Sequence, residues 1–108
     1  MQWSSFTGDE TAALAGGASD CPGCGAAAVR RYLTRPERAR RPTLVTYVWC
    51  PACRKFVGTR TAHPEGLMFA DPLLTHPPAD QTLAGFLAHL DRLWDDGVLP
   101  QTFTAATP

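Results

Sequence analysis

The residues best equipped for chemistry are Cys21, Cys24, Cys50 and Cys53, which are all the cysteines of the 108-residue chain. They stand in two Cys-x-x-Cys motifs, Cys21-Pro22-Gly23-Cys24-Gly25 and Trp49-Cys50-Pro51-Ala52-Cys53-Arg54, separated by a hairpin's worth of chain. Two such pairs on tight turns bring four soft thiolates to one tetrahedral ion, at about 2.3 Å for zinc, with little backbone rearrangement. Pro22 fixes φ and removes one amide donor, and the remaining turn amides can point at sulfur. Gly25 follows where a positive φ is often needed. Arg54 holds the equivalent place in the second motif, and a left-handed backbone there costs roughly 1–2 kcal/mol. The second turn is therefore expected to differ in shape, or its cation to help neutralise the site.

Other cysteine chemistry fits less well. Closely spaced pairs are poor long-loop staples, and the N-terminus lacks the basic and apolar regions of a secretory leader, so disulfides are not expected. A redox Cys-x-x-Cys belongs in a βαβ frame as one pair, not two flanking a hairpin. His63, His76 and His89 are superfluous once four thiolates close the site. A closed site also offers substrate no coordination position. The sequence has no nucleophile–base pair or phosphate-cradling glycine loop in a recognisable frame, so catalysis is not expected.

On the motifs CPGCG and CPACR, residues 21–60 resemble the zinc-ribbon class with rubredoxin-type knuckles. The resemblance implies a three-stranded antiparallel ribbon holding one structural Zn2+ through Cys21, Cys24, Cys50 and Cys53. Rubredoxins carry electrons on iron in the same geometry, which makes an iron carrier the minor alternative. The chain departs from them in lacking the second knuckle glycine and in its basic hairpin.

The elements that must position these cysteines follow from pattern. Residues 27–33 suit a strand, Leu44 to Trp49 is rich in β-branched and aromatic residues, and Lys55 to Thr61 supplies a third strand in which Gly58 marks a bulge. Alternation puts Val45, Tyr47 and Trp49 on one face and Leu44, Thr46 and Val48 on the other. Both faces carry apolar groups, so one needs a helix and the other the N-terminal segment or a partner. Thr7-Gly8-Asp9-Glu10 is a capping box opening a short helix to Ala15, which lays Trp3, Phe6 and Leu14 over the ribbon. Asp80 is expected to cap a longer helix, Gln81 to Asp96, ended by Gly97. In it Leu83, Phe86, Leu87, Leu90, Leu93 and Trp94 form one apolar stripe. The expected class is α+β in a single domain: a lid (1–20), a ribbon (21–62), a proline-pinned crossing loop with one helical turn near Asp71 to Leu74 (63–79), and a helix with its tail (80–108).

Charge separates sharply along the chain. Residues 30–60 hold nine bases against Glu37, while the remainder holds nine acids against Arg92, although the formal net charge is zero. Two partner surfaces follow. Asp91 and Asp95, expected opposite the apolar stripe, suit a basic protein partner. Alternatively Arg30, Arg31, Arg35, Arg38, Arg40 and Arg41, with Tyr32 and Tyr47 for base stacking, suit a nucleic acid. In its size and acidic helix the chain is similar to bacterial toxin-immunity proteins, which implies an adaptor or inhibitor with a protein partner. A cytoplasmic protein is expected, and neither a membrane nor a particular oligomeric state is called for.

Overall fold

The computed structural model describes residues 3–36, 40–80 and 82–105, with side chains through residue 102. Its elements are β1 (Ser4–Ser5), α1 (Gly8–Ala15), β2 (Arg30–Thr34), β3 (Thr43–Cys50), β4 (Lys55–Ala62), β5 (Leu67–Phe69), a 3-10 turn (Pro72–Leu74), α2 (Leu83–Asp95) and β6 (Phe103–Ala105). The architecture is α+β. β3 lies at the centre, with β2 and β4 antiparallel on either side, Tyr32 opposite Tyr47 and Trp49 opposite both Arg30 and Phe56.

The expected three-stranded antiparallel ribbon is enlarged. β1 adds a parallel strand beside β4, making a mixed four-stranded sheet of order β1-β4-β3-β2, and β5 pairs with β6 in a second, two-stranded sheet. β1 forms because the Ser4 N–H donates to Arg54 O at 2.9 Å and the Phe6 N–H donates to Phe56 O at 3.0 Å. Gly58 marks no bulge, for β4 pairs with β3 continuously from Lys55 to Ala62. A Cβ at Gly58 would stand 3.2 Å from the Tyr47 ring, so close packing favours glycine there.

The two-residue period of β3 divides the core as its alternation predicts. Trp49 packs with Tyr32, Leu87, Leu90, Leu93 and Leu99 against α2, with Tyr47 at the margin. Val48 and Cys50 pack on the other face with Phe6, Leu14 and Cys21 beneath α1. The N-terminal lid is thus split, because Trp3 joins the α2 side while Phe6 and Leu14 cover the opposite face. Leu83, at the start of the stripe, remains 46% exposed.

Both helices start and stop on local chemistry. Thr7 and Glu10 form the reciprocal capping box of α1. Thr82 is the N-cap of α2, its side chain accepting from Gly85 N, whereas Asp80 accepts from the Thr82 N–H and organises the approach. The expected cap and first residue therefore lie two residues too early. α2 ends where Gly97 takes φ +80, the Gly97 N–H donating to Trp94 O and the Val98 N–H to Leu93 O, a pairing that satisfies the last carbonyls. The crossing segment holds β5 as well as its helical turn, which Asp71 caps. Among the described residues, no helix is long and apolar enough to cross a membrane.

Candidate metal centre

The two motifs form matching turns. The Gly25 N–H donates to Cys21 O at 2.7 Å and the Arg54 N–H donates to Cys50 O at 2.9 Å. Gly25 has φ +77 and Arg54 has φ +59, so the second turn is not differently shaped: the arginine accepts the left-handed backbone. Its guanidinium lies over the Trp3 ring, 5.4 Å from the centroid. That stacking offsets part of the strain and anchors the segment whose Ser4 pairs with Arg54.

All four sulfurs lie within 4.8 Å of one another. Cys21 and Cys53 are 3.6 Å apart and Cys24 and Cys50 are 3.7 Å apart, Sγ to Sγ. A tetrahedron with about 2.3 Å metal–sulfur bonds has edges of about 3.8 Å, whereas a disulfide needs about 2.05 Å. The four cysteines could hold one metal ion. Cys21 and Cys50 are buried, Cys53 is half-buried and Cys24 faces solvent. None of the three histidines belongs to the cluster; His63 and His89 instead place Nε2 at 2.9 Å from Leu67 O and 2.6 Å from His76 O.

Electrostatics within the cluster are uneven. Burial raises the Cys21 thiol, but the amides of Cys24 and Gly23 and the neighbouring thiols outweigh it and hold the group below its ordinary range. The Gly23 N–H reaches Cys21 Sγ at 3.3 Å. Burial pushes Cys50 up, and burial with shared protons from neighbouring thiols pushes Cys53 up to about 12. Four thiols so close cannot all ionise unaided, and a bound cation is what would make all four thiolates. α1 is tied to the same place by Lys55 Nζ and Glu10 Oε2 at 3.1 Å. A Cβ at Gly23 would fall 2.9 Å from that Glu10 oxygen, so a larger residue in the first turn would have to displace the ion pair.

The residues singled out as partner surfaces are largely drawn inward. Asp91, expected on an exposed face, accepts from Trp49 Nε1 at 2.7 Å and from Arg30 at 2.9 Å. Asp95 takes the other Arg30 nitrogen at 3.2 Å and stays two-thirds exposed. Arg31 donates to Ala18 O at 2.7 Å. Tyr32 is 2% exposed and stacks on Tyr47, which also meets the Phe86 ring at 5.1 Å. Arg35, Arg40 and Arg41 line a groove at the far end of the hairpin, and Arg38 lies outside the described residues.

Two positioning residues escaped sequence reasoning. Asp71 accepts from Tyr32 Oη at 2.6 Å, Thr34 Oγ1 at 2.9 Å and Leu73 N at 2.9 Å. Gln101 accepts from Leu33 N at 2.8 Å and donates to Leu33 O at 2.7 Å and to Ala70 O at 2.9 Å, completing the free edge of β2. Asp71 before Pro72 signals a helical start, yet nothing local reveals its cross-chain bonds. Gln101 carries no signal at all. No protein-family model, curated protein or solved structure matches this chain.

Proposed function

We propose that this chain is a non-enzymatic, cytoplasmic structural-zinc protein, a ribbon with rubredoxin-type knuckles that serves as an adaptor or inhibitor for a protein partner. The observation that supports it is the near-tetrahedral spacing of four cysteine sulfurs. Four thiolates fill the coordination sphere of Zn2+, leaving the metal to rigidify rather than to activate water. When bound, the ion supplies charge neutralisation and a cross-link between the Cys21–Gly25 turn that precedes β2 and the β3–β4 turn. Cys21 and Cys50 belong to the core beneath α1, so the cross-link and that core stand or fall together.

The basic end is the better-supported contact surface. Asp91 is engaged by Trp49 and Arg30, leaving Asp95 as the more accessible of the two acids. The experiment is native mass spectrometry with elemental analysis on the untagged protein from its own source. One zinc and one bound protein is the expected result. Iron in its place would favour the electron carrier, and zinc with a salt-labile nucleic acid would favour the nucleic-acid binder.

A further inference from the structure

The groove at the loop end of the β2–β3 hairpin has a volume of about 950 Å³ and is lined by Arg35, Arg40 and Arg41 together with Phe69, Asp71 and Leu74, among others. Among the described residues none of these arginines makes an ion pair. Leu74 is 79% exposed beside them. Asp71, the acid in the wall, has both carboxylate oxygens occupied by hydrogen bonds from Tyr32, Thr34 and Leu73. The groove therefore combines uncommitted positive charge with an aliphatic contact.

We infer that this groove binds an acidic segment of the partner protein, with an apolar side chain of that segment seated against Leu74 and carboxylates meeting Arg35, Arg40 and Arg41. Charge complementarity selects the acids. Protein is favoured over nucleic acid because the aromatic residues nearest the basic loop are used inside, Trp49 being fully buried, Tyr32 nearly so and Tyr47 lying between Tyr32 and Phe86, which leaves Phe69 as the one aromatic ring in the groove's described lining. The wall is also preformed. Asp71 bolts the 3-10 turn to β2, and Gln101 joins Leu33 to Ala70, so little ordering is left for binding to impose.

This inference rests on the protein-binding function proposed above. Its test is selection of a phage-displayed random dodecapeptide library against the zinc-loaded full chain, with the best peptide labelled for anisotropy titration. Enriched sequences should be net acidic and carry an apolar residue. Their affinity should fall about tenfold or more in R40E/R41E and measurably in Leu74→Ser, with near-UV circular dichroism unchanged. Should the double variant fail to fold, R35E and the loss of affinity with added salt read the same contact. The inference is overturned by absence of enrichment, by neutral or basic winners, or by affinity indifferent to these variants. A dodecathymidylate that displaces the peptide and itself needs Arg40 and Arg41 would overturn it too. A natural partner captured equally by wild type and R40E/R41E would sink the groove while leaving the proposed function intact; zinc with no protein partner would sink the function itself.

Discussion

Tyr32 and Arg54 carry the clearest tests at the scale of single residues. The Tyr32 phenol lies inside the sheet and donates to Asp71, and burial first, then that acceptor, keeps it protonated well beyond its ordinary pKa of 10.0. Tyr32→Phe should cost about 1.5–3 kcal/mol near neutral pH, the usual worth of a hydrogen bond to a charged group. The sign of the pH effect follows from linkage. A phenol raised by folding adds stability below its unfolded pKa and loses it as pH rises further, because the unfolded chain then ionises and the folded one resists. Urea unfolding from pH 8 to pH 11 should show the gap between wild type and Tyr32→Phe narrowing above about pH 10; a constant gap would mean the phenol is solvated. Arg54 sets backbone strain against stacking on Trp3. Arg54→Gly should release about 1–2 kcal/mol and forfeit about 0.5–1 kcal/mol of cation–π contact. The same change in a Trp3→Ala background should therefore stabilise more, and equal effects in the two backgrounds would show that the stacking contributes nothing.

At the scale of elements, α2 illustrates which features local sequence discloses. Its apolar stripe was legible because Leu87, Leu90 and Leu93 recur at helical spacing and all three are buried. Its start was not, because Asp80 and Thr82 are both good caps, and only the Gly85 N–H decides between them by bonding to the Thr82 hydroxyl. Thr82→Ala should cost about 1 kcal/mol in thermal unfolding, with Asp80→Ala costing less. The four-cysteine cluster was legible because each pair of cysteines is close in sequence. β1 was not, since two serines have no readable alternation, and neither were the Asp71 and Gln101 clasps, whose partners are remote. Asp91 was misread although its spacing could have placed it: four residues after Leu87 and three before Trp94, it flanks the stripe, and the Trp49 indole and Arg30 draw it to the sheet. Asp91→Ala should then cost about 1–3 kcal/mol, through the buried indole N–H it leaves unpaired. Asp95→Ala should change stability by about 0.5 kcal/mol or less, as exposed ion pairs usually do. Matching losses for the two would restore the picture of an equivalent acidic face.

Across the whole molecule the metal centre and the groove occupy opposite ends of β3. The strand runs eight residues from Thr43, in the groove lining, to Cys50, a sulfur donor, a distance on the order of 24 Å. No direct contact is needed to couple them. Trp49 and Cys50 are adjacent on β3, the first buried in the core against α2 and the second in the core beneath α1. With zinc held there as proposed, releasing it would remove the cross-link from one core, and the shared strand would carry the disturbance to the other. Structural zinc contributes apparent binding free energies of about 10–16 kcal/mol, against net stabilities of about 5–15 kcal/mol for domains generally. Cys24→Ser, Cys53→Ser or chelation should therefore abolish the cooperative thermal transition and not merely lower its midpoint. The informative readout is simultaneous. During a chelator titration, zinc release reported by a colorimetric indicator should coincide with loss of near-UV ellipticity from buried Trp49 and with loss of acidic-peptide binding. If zinc leaves first while the tryptophan signal and peptide binding persist, the α2 core holds the groove unaided, and the metal stabilises only the face beneath α1.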